Sequence, residues 1–244
     1  MRALVFVHGY LGGSAQWAAQ VEAFRDSHRV ITPDLPGYGR NRALAAPEEI
    51  GAFADYALEH ARSLGVERFD LVGHSMGGMI VQEMVARAPE RVDRLVLYGT
   101  GPVGLLPGRF ETIAESRRRV VEEGPKATGR RISATWFVDY ERAPNYPVCA
   151  DLAVLASQQA ALAGLAAMER WSGEAALEKI ASPTLVLWGD CDRTYTWSQQ
   201  QKLWQGIAGA RLAVIPGCAH AAHLEKPQLF NAILADFLDS GRWH

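Results

Sequence analysis

Cysteine is scarce in this chain of 244 residues, which contains only Cys149, Cys191 and Cys218. Three thiols cannot all pair, and no two of them have a metal-ligand spacing such as C-x-x-C. The cysteines therefore indicate neither a disulfide framework nor a metal site. They are typical of a reducing compartment, and we expect a cytoplasmic protein.

An excess of charge and a long apolar run are also missing. The chain has 25 basic and 27 acidic residues, a net charge of -2, which produces no long-range field that would attract nucleic acid or anionic lipid. The apolar start at 1–7 ends at His8, too soon for a signal-peptide core or a membrane span. We therefore expect no nucleic-acid partner, no membrane association and no export.

Short apolar runs recur along the chain and predict six strands. They lie at 3–7, 29–31, 69–72, 94–98, 184–188 and 211–215. The runs are continuous rather than alternating, which is typical of strands buried on both faces of a parallel sheet. Between them, apolar residues at helical spacing predict helices, most clearly from Ile50 to Leu64. The pattern predicts an α/β fold with a doubly wound, mostly parallel sheet.

One interval, residues 102–180, interrupts this alternation. It contains no convincing strand and is far longer than a strand-to-helix connection needs. Apolar residues recur at helical spacing over 110–120 and 152–165, and the interval is too apolar for a solvated loop. We therefore expect an inserted helical cap at 102–180 over a core formed by 1–101 and 181–244.

The most specific motif is Gly73-His74-Ser75-Met76-Gly77, which follows the third predicted strand and precedes a helical stretch. A G-x-S-x-G nucleophile elbow requires this context. Its sharp turn holds the serine at strained φ/ψ and exposes Oγ, while the glycines leave room for neighbouring backbone. Ser75 is therefore a candidate nucleophile, although five residues alone are equally compatible with an ordinary glycine-rich connection.

A serine nucleophile needs a base and an acid. Asp190 and Asp192 follow the fifth predicted strand, and His220 and His223 follow the sixth. Because parallel strands end at one edge of a sheet, where sites form, we expect both loops beside Ser75.

Together these motifs resemble the α/β-hydrolase superfamily over nearly the whole chain. Besides the serine motif, the resemblance rests on His8-Gly9-Tyr10 with Gly12-Gly13-Ser14 and Trp17, on Asp34-Leu35-Pro36-Gly37-Tyr38-Gly39, on Gly189-x-x-Asp192, and on His220 with Glu225 and Pro227. It implies the α/β-hydrolase fold with about six strands, in which two N-terminal strands usual in the family are absent. We expect the shortened sheet edge to be covered by another segment or to form a homodimer contact.

The resemblance also implies the catalytic roles: Ser75 is the nucleophile, His220 the base and Asp192 the acid. Asp190 competes for the last role, but the family places its acid at the fourth position of the turn that begins at Gly189. The resemblance therefore favours Asp192.

The other histidines have structural interpretations. His223 competes with His220, but His220 has the family's usual distance to Glu225, so His223 is interpreted as a packing or pocket residue. We expect His74 to be a buried, hydrogen-bonded neighbour of the elbow, and His8 to hold its own loop.

Acyl transfer needs N–H donors aimed at the developing oxyanion. The elbow exposes the amide of Met76 at a helix N-terminus, where the helix dipole favours an anion, and the resemblance supplies Tyr10 as the second donor. Aromatic residues of the predicted cap are candidate pocket residues, although core packing explains them equally well. The candidate substrate contacts are Trp136, Tyr140, Trp171 and His223.

Two arginine runs, Arg117–Arg119 and Arg130–Arg131, lie in the predicted cap. A guanidinium recognises carboxylates, but a charge run on a helix is usually a solvated face. The sequence leaves both interpretations open.

The motifs and the resemblance predict a cofactor-free serine hydrolase that cleaves a carboxylic ester or (enol-)lactone of a small substrate through an acyl-enzyme. The closest resemblance is to small carboxylesterases and enol-lactone hydrolases. Three alternatives remain: a carbon–carbon hydrolase of ring-cleavage products, a lyase or perhydrolase with the same triad, and a ligand-binding receptor. Many carbon–carbon hydrolases have tryptophan directly after the catalytic histidine, where this chain has Ala221.

Overall fold

The computed structural model describes residues 1–105 and 107–239. Its sheet consists of β1 (Arg2–Val7), β2 (His28–Ile31), β3 (Phe69–His74), β4 (Val92–Tyr98), β5 (Thr184–Gly189) and β6 (Arg211–Ile215). The strands lie in the order β2-β1-β3-β4-β5-β6, and all neighbouring pairs are parallel. The predicted α/β fold with a parallel sheet is confirmed, and each predicted strand is found.

Helices follow most strands. They are α1 (Ala18–Phe24), α2 (Ile50–Ser63), α3 (Met76–Arg87), α4 (Ile113–Glu122), α5 (Pro125–Ala134), α6 (Tyr146–Ala153), α7 (Gln158–Arg170), α8 (Trp197–Gly206), α9 (Ala222–Glu225) and α10 (Pro227–Asp239). The α2 helix corresponds to the clearest sequence prediction, since its buried residues, among them Ile50 and Phe53, form one face.

The core has two layers because side chains alternate between the faces of each strand. Leu71 and Leu97 pack with Phe53 on one face of the sheet. Val72 packs with Phe230 on the other face. Burying such a side chain stabilises the fold by roughly 1.5–3 kcal/mol, and burial on both faces explains why the strands read as continuous apolar runs.

The chain between β4 and β5 carries the four helices α4 to α7, which we call the helical insertion. Side-chain N-caps mark the start of two of these helices. The Thr112 side chain accepts a hydrogen bond from the Glu115 N–H at α4, and the Ser157 side chain accepts one from a backbone N–H in the first turn of α7. Such N-caps contribute about 1 kcal/mol each. The division of the chain into core and cap at 102 and 180 stays a prediction.

Across residues 1–105 and 107–239, no single helix is long and apolar enough to cross a membrane. The helices α6 and α7 reach that length only as a pair, and they are bent by 104° relative to each other.

Candidate active site

Ser75 lies at the turn between β3 and α3 with φ 59° and ψ -123°. This conformation is unfavourable for a residue with a side chain, at a cost of about 1–3 kcal/mol. Hydrogen bonds hold it: the Ser75 N–H donates to Tyr98 O at 3.0 Å, and the Thr100 hydroxyl donates to Ser75 O at 2.8 Å. The strained turn that the motif predicts is therefore present.

The glycines on either side of Ser75 are required by close backbone approaches. A Cβ at Gly73 would lie 2.4 Å from Gly77 O, and a Cβ at Gly77 would lie 2.3 Å from Val7 O. Both distances are far below van der Waals contact. The spacing of the motif thus lets α3 start directly against β3 and β1.

His220 and Asp192 form a buried pair. Asp192 Oδ2 lies 2.8 Å from His220 Nδ1, and both side chains are 1% exposed. The other carboxylate oxygen accepts hydrogen bonds from the N–H groups of Thr194 at 2.7 Å and Tyr195 at 3.1 Å. With Nδ1–H bound to the carboxylate, His220 Nε2 is left to accept a proton.

Asp190, the competing acid, has a different partner. Its Oδ1 accepts a hydrogen bond from Gly217 N–H at 2.6 Å, and the residue is exposed. Asp190 therefore ties two loops together at the surface, while Asp192 is the acid that contacts His220.

The backbone of His220 is also fixed. Its carbonyl oxygen accepts hydrogen bonds from the Tyr98 hydroxyl at 2.9 Å and from His74 Nε2 at 3.0 Å. The Tyr195 ring stacks on the imidazole with 5.6 Å between centroids and 16° between planes. These contacts restrict the imidazole to one orientation.

A small cavity of about 20 Å³ lies at Ser75. This is close to the space that one water molecule needs. Its walls include Tyr10, Arg109, Ile132, Trp136, Met168 and Tyr195. Side chains of the helical insertion thus close over Ser75, and any molecule larger than water must displace some of them to enter.

The four residues that the sequence predicts as substrate contacts lie in different parts of the structure. Trp136 lines the cavity at Ser75, and its ring lies 5.9 Å from that of His220. Tyr140 is 41% exposed and packs on the guanidinium of Arg193. It does not belong to the described wall of the Ser75 cavity, and the cation–π contact accounts for its position. The interpretation of Tyr140 as a substrate contact stays a prediction.

Trp171 and His223 also lie outside the described wall of the Ser75 cavity. The Trp171 indole donates to Glu83 Oε1 at 2.9 Å. His223 is fully buried, with Nδ1 3.0 Å from the Tyr98 hydroxyl and its ring 4.6 Å from that of Trp17. These contacts account for the positions of both side chains, although His223 Nε2 is buried without a hydrogen-bond partner among the described residues. The interpretation of Trp171 and His223 as substrate contacts stays a prediction.

The loop at Tyr10 lies directly against the elbow. A Cβ at Gly9 would approach Ser75 Cβ to 2.8 Å, so only glycine fits there. His8 holds the loop: its Nε2 accepts from Leu35 N–H at 3.0 Å, which leaves Nδ1–H to donate to Gly9 O at 2.8 Å. The backbone of Tyr10 is thereby fixed next to Ser75.

Met76 is the first residue of α3. Its N–H therefore has no acceptor within the helix and lies at the positive end of the helix dipole. This arrangement is compatible with an oxyanion site between Met76 and Tyr10.

The histidines behind the site are uncharged. Burial, assisted by the charge of His220, lowers the pKa of His74 well below its usual value. The same causes lower the pKa of His223 to about 3. His74 stacks on Tyr98 with 4.5 Å between centroids, so it packs as a neutral ring beside the elbow.

We expect His223 to make folding pH-dependent. The unfolded chain binds a proton at His223 near pH 6.5, whereas the folded protein does so only near pH 3. Between these values the unfolded state holds more protons, so the free energy of unfolding decreases as the pH falls. From pH 7 to pH 5 this residue removes about 2 kcal/mol.

Urea unfolding of the wild type and of His223→Gln at both pH values measures this contribution. The variant should lose about 2 kcal/mol less than the wild type between pH 7 and pH 5, whatever its stability at pH 7. Equal losses in the two proteins would contradict the assignment.

Sequence reasoning missed most of the cavity wall, including Tyr195 and Arg109. Burial raises the pKa of Tyr195, although a hydrogen bond with the Ser75 side chain opposes this rise, so its hydroxyl stays protonated beside Ser75. The position of Tyr195 three residues after Asp192, within the same turn, was a usable signal. Arg109 lies in a loop without periodicity, and no sequence pattern indicated it.

The arginine runs of the insertion are mostly engaged in ion pairs. Arg117 pairs with Glu169, Arg118 with Glu115, Arg119 with Glu123 and Arg131 with Glu111. Pairs on exposed helix faces stabilise a protein by at most about 1 kcal/mol each. The solvated-face interpretation therefore fits these four side chains.

Comparison with known proteins agrees with this architecture. The family model described as alpha/beta hydrolase fold matches residues 2–227. The chain is 31% identical to the 2-hydroxymuconate semialdehyde hydrolase of Pseudomonas sp. strain CF600, covering 96% of this chain and 86% of that protein. It is 29% identical to the putative carbamate hydrolase RutD of Agrobacterium fabrum, covering 94% and 90%.

Among solved structures, the enol-lactonase from Burkholderia xenovorans LB400 superposes with a TM-score of 0.87 at 26% identity, covering 98% of this chain and 93% of that one. Fold, strand order and similarity along the chain agree. This protein belongs to the alpha/beta hydrolase family and is a hydrolase.

Proposed function

We propose that this protein is a serine hydrolase that cleaves a carboxylic ester or lactone of a small substrate through an acyl-enzyme at Ser75. The observation that carries the proposal is the 2.8 Å contact between Asp192 and His220, in a fold where Ser75 occupies a strained elbow. Tyr195 joins the two features, since its ring stacks on His220 and its hydroxyl contacts Ser75.

In the proposed first step, Ser75 Oγ attacks the carbonyl carbon and its proton passes to His220 Nε2. The carbonyl oxygen becomes negative between the N–H groups of Met76 and Tyr10. Each such donor lowers the barrier by roughly 3–4 kcal/mol. His220 then delivers the proton to the leaving oxygen as the carbon–oxygen bond breaks, which leaves an acyl group on Ser75.

In the second step, His220 takes a proton from water and the hydroxide oxygen attacks the acyl carbon. The bond to Ser75 Oγ breaks, the serine regains its proton and the carboxylic acid leaves. Throughout, Asp192 keeps Nδ1 of His220 protonated and stabilises the imidazolium.

The similarity to an enol-lactonase supports an oxygen-linked acyl substrate. The cavity of about 20 Å³ supports a small one, because a large acyl group would require a large displacement of Trp136 and Met168. A carbamate, which one relative's name includes, would pass through the same steps at its carbonyl carbon.

Labelling by a fluorophosphonate, combined with turnover of 4-nitrophenyl acetate, tests the proposal. We expect one label per chain, located on the peptide that contains Ser75 by mass spectrometry, and many turnovers per site. Labelling of Ser75 without turnover would favour the ligand-binding alternative. Turnover without any label on Ser75 would contradict the proposal.

A second candidate is hydrolysis of a carbon–carbon bond. It is favoured by the relative that acts on 2-hydroxymuconate semialdehyde, since that compound contains no ester bond. Absorbance loss of a ring-cleavage dienoate, with a carboxylic acid among the products, would support this candidate. If esters alone react, the ester assignment holds.

A further inference from the structure

Arg109 lies in the loop between β4 and α4 and lines the same cavity as Ser75. Its position is held from two sides. The N–H of the next residue, Phe110, donates to Arg193 O at 3.0 Å, and the Arg109 guanidinium lies 4.4 Å from the centroid of the Phe110 ring. The charge is therefore fixed within the cavity wall rather than free in solvent.

This guanidinium has no ion-pair partner in the described structure. No carboxylate oxygen of residues 1–105 or 107–239 lies within 4.0 Å of it. The neighbouring carboxylate of Glu111 is occupied by Arg131 and by the Ser116 hydroxyl. Arg109 thus differs from the ion-paired arginines on the surface of the insertion.

Among the described residues, only the Nη1 arm of the Arg109 guanidinium makes hydrogen bonds. Its Nη1 donates to Glu111 O at 2.7 Å and to the Ser116 hydroxyl at 3.1 Å. A guanidinium carries five N–H donors. Nε and Nη2 are therefore available to a ligand, while Nη1 anchors the side chain.

Arg109 is partly buried, and a partly buried cation attracts an anion more strongly than one at the surface, because water screens it less. Burial lowers the pKa of Arg109, but a guanidinium stays protonated at neutral pH. Its planar fork matches the two oxygens of a carboxylate. The cavity wall therefore contains both the proposed nucleophile Ser75 and a guanidinium that can bind a carboxylate.

We propose that Arg109 binds a carboxylate of the substrate, so that the preferred substrate is a small acidic ester or lactone whose carboxylate lies across the cavity from its reacting carbonyl. This inference rests on the proposed function of Ser75 and names the substrate class of that site.

Two pairs of esters test it, and the members of each pair differ only in a terminal carboxylate or amide. Mono-4-nitrophenyl adipate and its terminal amide place the difference on the acyl side. 4-Acetoxybenzoate and 4-acetoxybenzamide place it on the leaving group. Because the members of a pair have nearly the same size, opening of the cavity affects both equally, and the ratio of their kcat/KM values isolates the charge.

In the wild type we expect the carboxylate to be preferred by about 30-fold in at least one pair. In Arg109→Gln this ratio should fall to about 1, mainly because KM of the acidic ester rises. Arg109→Lys should retain part of the preference, because lysine keeps the positive charge but lacks the planar fork of the guanidinium. Arg117→Gln is the matched control, since Arg117 pairs with Glu169 elsewhere on the insertion, and its ratio should equal that of the wild type.

Thermal unfolding gives a readout without turnover: adipate should raise the unfolding temperature of the wild type and of Arg117→Gln but not of Arg109→Gln. Ratios near 1 in the wild type for both pairs, or the same ratio in Arg109→Gln, would overturn this proposal while leaving the role of Ser75 intact. Full ester hydrolysis by Ser75→Ala would instead overturn the proposed function.

Discussion

We expect replacement of Ser75 by alanine to lower kcat for 4-nitrophenyl acetate by on the order of 10⁴-fold or more. In the proposed mechanism the variant has no oxygen to form the acyl-enzyme, so water must attack the ester directly. The proposed oxyanion donors of Met76 and Tyr10 remain, and we expect them to account for any activity above the uncatalysed rate. Initial rates of 4-nitrophenolate release, measured at matched protein concentrations, give the ratio.

The glycine variant is the matched control for folding. Ser75→Gly also lacks the nucleophile, but glycine adopts φ 59° without the penalty of a side chain. We therefore expect it to be more stable than Ser75→Ala by about 1 kcal/mol in urea unfolding, with both variants equally inactive. A Ser75→Ala protein that retains the wild-type rate would refute the nucleophile assignment.

We expect replacement of Asp192 by asparagine to lower kcat by on the order of 10³–10⁴-fold, although the side chain keeps its size. The oxygen of the new amide is required by the N–H groups of Thr194 and Tyr195, which donate to Oδ1 of Asp192. The amide NH₂ must then face His220 Nδ1, and this nitrogen has to act as an acceptor. The proton moves to Nε2, which can no longer take the proton of the nucleophile.

Asp190→Asn provides the control for this experiment. Asp190 makes its hydrogen bond through Oδ1 as an acceptor from Gly217 N–H, and an asparagine oxygen can do the same. We expect kcat within about twofold of the wild type, since Asp190 is exposed and the carboxylate that contacts His220 is that of Asp192. Equal losses in the two variants, or a loss only in Asp190→Asn, would show that the acid has been assigned to the wrong residue.

The strands were predictable from the sequence because each of them corresponds to a local pattern of apolar residues. Burial on both faces makes each strand a continuous apolar run, and this property needs no knowledge of its neighbours. The elbow was predictable for a similar reason. Gly73 and Gly77 each lie two residues from Ser75. The backbone atoms that would clash with a side chain at these positions belong to the strand and helix that the motif connects, or to the adjacent strand β1.

The resemblance to α/β hydrolases supplied Asp192 and His220 as the candidate acid and base, but their contact was not contained in any local pattern. Asp192 and His220 are 28 residues apart, and only the parallel packing of β5 beside β6 brings their loops together. Tyr195 belongs to this same arrangement, since the turn that presents Asp192 also turns the tyrosine ring onto His220.

The contacts of the insertion were decided by tertiary structure alone. An aromatic side chain gains a similar free energy from any apolar or cationic surface, so the sequence did not distinguish Trp136, which lines the Ser75 cavity, from Tyr140, which contacts the guanidinium of Arg193. The sequence likewise did not distinguish the arginines that form ion pairs from the arginine that lines the cavity. Arg118 and Arg119 pair with glutamates one turn away on the same helix, whereas Arg117 and Arg131 pair with glutamates far away in sequence. Arg109 lies in a loop, and the packing around that loop places its side chain in the cavity wall. Thus the sequence by itself determined the strands, the elbow and the order of the reactive residues, while the folded chain alone decided which side chains surround them.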